Sequence, residues 1–130
     1  MTTNQEFQNI KVAKLAPREL DTLLQKEDLY ILDVRPLDFK RDTSFIAGAV
    51  LCPLVYLAER YSEIPKDRRI VITDWAMKQS TSAAKFLISR DYPVVGVLKG
   101  GLERWKSENY PVEERSPTLE VGSLTAPRKQ

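Results

Sequence analysis

Ile70-Val71-Ile72-Thr73-Asp74 runs into Trp75-Ala76-Met77-Lys78-Gln79-Ser80: an apolar stretch ending on a carboxylate, a short polar loop, and a residue suited to open a helix. A continuous apolar run of this length reads as a strand buried on both faces, the habit of parallel sheets. Open α/β sheets place their chemistry beyond the carboxyl ends of such strands, where a following helix N-terminus offers unpaired N–H groups. Asp74 stands at that position.

Working outward, the same alternation recurs along the chain. Ile10 to Leu15 reads as a short strand, and Pro17 suits the first turn of a helix whose Leu20, Leu23 and Leu24 form one stripe. Ala16 is a weak cap for it. Leu29 to Val34 is a second buried strand stopped by Pro36, and a helical turn is expected over Leu37 to Arg41. Ala49 to Cys52 is a third strand, followed by Leu54, Leu57, Ala58 and Tyr61 at helical spacing. Arg69 to Thr73 is the fourth strand, Ser80 to Arg90 a helix, Val94 to Leu98 the fifth strand, and Leu102 to Lys106 a last helix. Strands alternating with helices at this spacing predict βαβ units and an α/β domain: about five mostly parallel strands with helices on both faces.

The chain has 130 residues, enough for one domain with a real core. We expect residues 1–8 to be flexible, 9–112 to form the domain, and 113–130 to be disordered or draped on the surface. The 20 basic and 18 acidic side chains are interspersed, which argues against nucleic acid as a partner. No run approaches the roughly 18 apolar residues of a membrane span. The start, Met1 to Glu6, lacks the regions of a secretory signal. One cysteine, Cys52, cannot form an intrachain disulfide and suits a reducing compartment, so a cytoplasmic location is expected. Histidine is absent, which removes the usual general base and the commonest metal ligand, and no metal or cofactor is expected.

Four landmarks carry a resemblance to a known family. They are Ile31-Leu32-Asp33-Val34-Arg35, Ile46-Ala47-Gly48-Ala49-Val50, the stretch from Ile70 to Asp74 with Ser80 six residues on, and Val97-Leu98-Lys99-Gly100-Gly101-Leu102-Glu103-Arg104-Trp105. Together they resemble a rhodanese-like (sulfurtransferase-type) domain over roughly residues 10–112. The resemblance implies a three-layer sandwich, and it implies that Asp74 stands where active members hold a nucleophilic cysteine. The loop Asp74, Trp75, Ala76, Met77, Lys78, Gln79 and Ser80 would then wrap a basket of inward N–H groups, with Asp33 and Arg35 supporting it.

A carboxylate oxygen cannot take up and carry a sulfane sulfur, so no catalytic residue is assigned. The resemblance further implies glycine and arginine where this chain has Met77 and Gln79. Met77 is expected to restrict the convergence of the amides, and Gln79 lacks a cationic fork. Ser80 reads as an N-cap rather than a nucleophile, having no base to activate it. Asp33 and Arg35, two apart near a strand end, read as a structural ion pair. Cys52 reads as a small buried hydrophobe.

The reading adopted is a catalytically inactive domain used for binding, scaffolding or regulation, with a protein partner at the loop. Trp75 and Met77 either meet that partner or pack the altered loop against the sheet. The alternative is a sulfurtransferase with a non-standard or partner thiol. A third class, an aspartate phosphoacceptor built on Asp33 or Asp74, needs a carboxylate cluster that the first strand, with Ala13, Lys14 and Leu15, does not offer.

Overall fold

The structure, a computed structural model, describes residues 8–37, 43–116 and 120–125. Residues 1–7, most of the turn expected over Leu37 to Arg41, and residues 117–119 and 126–130 lie outside the described residues. The elements are β1 (Lys14–Leu15), α1 (Pro17–Lys26), β2 (Tyr30–Asp33), β3 (Ser44–Phe45), β4 (Val50–Leu51), α2 (Leu54–Arg60) with a 3-10 turn at Tyr61–Glu63, β5 (Ile70–Thr73), α3 (Ser80–Ser89), β6 (Val94–Leu98), α4 (Gly101–Ser107) and β7 (Glu113–Glu114). Five strands form one parallel sheet in the order β1-β6-β5-β2-β4. The α/β reading therefore holds.

Side-chain alternation sorts the core onto the two faces of the sheet. Tyr30, Leu32, Ile70 and Ile72 face α2 and α3, meeting Leu57, Ala83, Ala84 and Leu87. Ile31 and Val71 face the other way, meeting Leu20 of α1 and Leu102 and Trp105 of α4. β6 departs from simple alternation. Its register against β5 steps from Val94 opposite Ile70 to Gly96 opposite Val71, one residue longer on β6. That bulge lets Val94 and Val97, three apart, reach the same face.

Element ends differ from the sequence expectation where backbone pairing runs out. The first strand shortens to two residues at Lys14–Leu15, because β6 pairs with it only through Val97 and Leu98. The third shortens to Val50–Leu51, opposite Leu32 and Asp33. Ala16 takes the N-cap position of α1, and its own N–H donates to the Glu19 carboxylate at 3.0 Å. Glu19 thus completes half a capping box that alanine alone lacks.

Specific contacts continue past Val112. Ser44 and Phe45 pair antiparallel with Glu114 and Glu113, so the fold's pairing continues beyond the boundary expected at 112. Further on, Leu124 is fully buried in the cluster containing Tyr30, Cys52, Leu57 and Ile64. The polar composition of this stretch hides one well-placed leucine. Among the described residues, no helix is long and apolar enough to cross a membrane.

Gly96 lies where β6 passes the chain leading into β1. A Cβ there would sit 2.5 Å from the Ala13 carbonyl oxygen, which accepts the Val97 N–H at 2.9 Å. Gly96→Ala is therefore expected to lower stability by about 2 kcal/mol, read as a lower urea midpoint with an unchanged slope.

Candidate functional site

β5 is a central strand, so its carboxyl end delivers the chain into the middle of the sheet's rim. Asp74, one residue past it, is almost completely buried. Its Oδ1 accepts the Met77 N–H at 2.5 Å, and its Oδ2 accepts the Gln79 and Ser80 N–H groups at 2.6 and 3.0 Å. Three main-chain donors converge on one carboxylate. Two of them belong to the N-terminus of α3, where a negative charge also meets the favourable end of the helix dipole.

The loop is held from its other side by a second helix N-terminus. The carbonyls of Asp74 and Trp75 accept the N–H groups of Leu102 and Glu103 in α4, at 2.8 and 3.0 Å. Gly101 makes this approach possible. Its φ is 63°, and a Cβ on it would lie 2.4 Å from the Trp75 carbonyl oxygen. The two segments are 26 residues apart and share no local signal, so the sequence does not show which chain Gly101 meets.

Two expectations about the loop are corrected. Met77 does not prevent the amides from converging. It adopts a φ of 71° despite its side chain, and its Sδ accepts the Gly100 N–H at 2.9 Å while the side chain packs on the core. That contact offsets the cost of left-handed backbone, which is of order 1 kcal/mol for a residue with a Cβ. Ser80 is not the N-cap. Gln79 occupies that position without a side-chain cap, and Ser80 follows as the first helical residue. Asp74 does the capping instead, from outside the helix. The Ser80 hydroxyl is buried without a hydrogen-bond partner among the described residues.

Trp75 and Met77 separate. Met77 is packed inward, whereas Trp75 is 39% exposed, with the Lys106 ammonium 6.0 Å from its ring centroid. Ala76 and Lys78 are exposed beside it, and Gln79 is half-buried.

Asp33 and Arg35 form a buried ion pair at 2.9 Å, and the guanidinium also donates to the Ser44 carbonyl at 2.8 Å and lies 4.4 Å over the Phe45 ring. All of Arg35's contacts are internal, as a structural pair requires. Burial pushes the Asp33 carboxyl above the usual range, Arg35 opposes this, and the neighbouring Asp74 charge adds to it. Among the described residues, no group of three or more His, Cys, Asp or Glu side chains is placed to hold a metal ion.

Cys52 lies just past the end of β4 and is fully buried. Burial pushes its thiol from 9.0 up to about 11, with Arg60 acting in the opposite sense and Glu63 in the same sense. The thiol is thus protonated and shielded at neutral pH.

The comparisons with known proteins agree with this architecture. A family model for the rhodanese-like domain matches residues 16–108. A protein of Allochromatium vinosum named "Sulfurtransferase" is 32% identical over 91 residues, covering 69% of this chain and 83% of that protein. "Uncharacterized protein YibN" of Escherichia coli K12 is 31% identical over 105 residues, covering 78% and 73%. Among solved structures, a rhodanese-related protein from Thermoplasma volcanium superposes with a TM-score of 0.69 at 25% identity, over 77% of this chain and 96% of that one.

Two outcomes test this geometry. Asp74→Ala leaves three inward N–H groups without their acceptor and is expected to cost roughly 3 kcal/mol in urea unfolding, whereas Ser80→Ala, which removes an unpartnered hydroxyl, is expected to be neutral or stabilising. The raised Cys52 thiol gives a second test. The folded chain holds this proton more tightly than the unfolded chain, so its contribution is complete below about 9 and is lost as pH rises through about 11. The stability of the native chain minus that of Cys52→Ala should fall across that window.

Proposed function

The chain belongs to the rhodanese-like domain family, and from that premise we propose that it is a member without sulfur-transfer activity of its own, serving as a binding, scaffolding or regulatory module. In this reading Asp74 occupies the seat of the family's nucleophilic cysteine. The observation that carries it is the carboxylate itself, buried and receiving three main-chain N–H groups.

The chemistry explains why this substitution silences transfer. A sulfurtransferase thiolate attacks the outer sulfur of a donor such as thiosulfate, the S–S bond breaks, and sulfite leaves with the electron pair. The enzyme then carries the sulfur as a persulfide until an acceptor takes it. A carboxylate is a poor nucleophile toward sulfur and forms no stable S–S bond. Asp74 also puts a negative charge where an anionic donor would have to sit, and it already uses the N–H groups that would hold such a donor.

The sulfur-transfer alternative requires another thiol. Cys52 is the chain's one cysteine, and its full burial and raised pKa both speak against that role. Binding at the loop has a candidate contact in Trp75, an exposed aromatic side chain beside the cationic Lys106 and Lys78. A protein partner presenting an apolar contact with acidic neighbours would suit that rim.

Thiosulfate:cyanide sulfur transfer tests the proposal. The native chain is expected to give no turnover. Asp74→Cys is expected to give weak turnover above background, because the N–H groups already converge while Gln79 supplies no cation. Native turnover that persists in Cys52→Ser would overturn the reading.

A further inference from the structure

The stretch from Glu120 to Thr125 has no regular secondary structure, yet the body engages it group by group. The Tyr30 hydroxyl donates to the Leu124 carbonyl. The Arg60 guanidinium donates to the carbonyls of Gly122 and Val121, at 2.8 and 3.5 Å. Glu63, ion-paired with Arg60, accepts the Leu124 N–H. These polar contacts run from side chains of the body to main-chain groups of the segment. Grooves that bind extended peptides work in this way, with main-chain contacts giving affinity and side-chain pockets giving selectivity.

Two side chains of the segment turn inward. Leu124 is fully buried and Val121 packs against the core, whereas Glu120, Gly122, Ser123 and Thr125 are exposed. A Cβ added at Gly122 would meet nothing within 4 Å, so the groove does not require glycine there. The contacts therefore select an apolar residue followed three positions later by leucine, and leave the two between them unconstrained. Tyr30 lies opposite Ile70 in the sheet register, four residues before Asp74. The groove thus sits toward the other end of the strands from the Asp74 loop.

We propose that this groove is a docking site for an extended, leucine-bearing segment of a partner protein, and that residues 120–125 are its tethered occupant, which such a segment displaces. The seated segment defines the partner's chemistry: an exposed, extended stretch with an apolar residue and a leucine at the spacing of Val121 and Leu124. Tyr30, Arg60 and Glu63 would read its main chain as they read this one. Displacement leaves the sheet whole, because residues 120–125 contribute no strand to it. The tether gives the resident segment an effective concentration on the order of millimolar, so the groove is closed to weak competitors and open to strong ones. The inference is independent of whether Asp74 has silenced the main site.

Fluorescence anisotropy of a labelled synthetic peptide of residues 120–125 tests this on the full-length chain. Leu124→Ala weakens the tethered occupant and leaves the groove's own residues in place, so this variant should bind the peptide about tenfold more tightly than the native chain. The peptide carrying Leu124→Ala should not bind, and the peptide carrying Gly122→Ala should bind equally well. Adding Arg60→Met to the Leu124→Ala chain should weaken binding about tenfold, through the lost bonds to the peptide carbonyls. Methyl NMR of the isotope-labelled native chain needs no variant to fold. Excess unlabelled peptide should move the Leu124 methyl signals to the positions of an exposed leucine, while those of Ile31 and Val71, on the opposite face of the sheet, stay in place. Absence of both peptide binding and Leu124 displacement, or equal binding of the peptide and its Leu124→Ala form, would overturn the proposal. So would a dimer of the native chain that Leu124→Ala abolishes, since it would assign the groove to a second copy.

Discussion

The N–H groups at the start of a helix need acceptors, and at the turn from β5 into α3 the acceptor is the carboxylate of Asp74. The same residue's carbonyl receives the Leu102 N–H at the start of α4. One residue therefore serves two helix termini, with its side chain on one and its main chain on the other. The position of both helices relative to the central strand follows from this. So does the close contact at Gly101, which brings the α4 terminus against the loop without a side chain between them.

The sheet supplies the frame on which that junction sits. Its two faces are covered by different pairs of helices, and strict alternation along β2 and β5 assigns each side chain to one of them. The bulge in β6 allows residues three apart to share a face. The edges are managed separately. β1 closes one side with two residues of pairing, and Leu124 adds to the core cluster that contains Cys52, just past β4. A leucine far along a polar stretch thus joins a core cluster whose other buried members run from Tyr30 to Val97.

The two groups with the most chemical potential in the chain are both engaged. Asp74 has its charge taken up by main-chain donors. Cys52 has its thiol protonated by burial. The difference between them is mechanical. Asp74 is locked by the turn between β5 and α3, whereas Cys52 sits in the apolar cluster that contains Tyr30, Leu57 and Ile64. Trp75, by contrast, remains at the surface of the loop because the inward position is filled by Met77.

Much of this was legible without coordinates, for a physical reason. A strand buried on both faces must be apolar throughout, so Leu29 to Val34 and Ile70 to Thr73 declare themselves, and helices between them force parallel pairing. The family resemblance implied Asp74 as the occupant of a basket, and the ion pair of Asp33 with Arg35 followed from their spacing. The left-handed backbone of Met77, the unpartnered hydroxyl of Ser80, the partner that Gly101 approaches and the burial of Leu124 were not readable. Sequence determined which segments bury themselves, since burial is a property of local composition and period. Only the tertiary structure decided which distant main-chain groups meet, because hydrogen-bond partners across long loops leave no trace in the pattern of either segment alone.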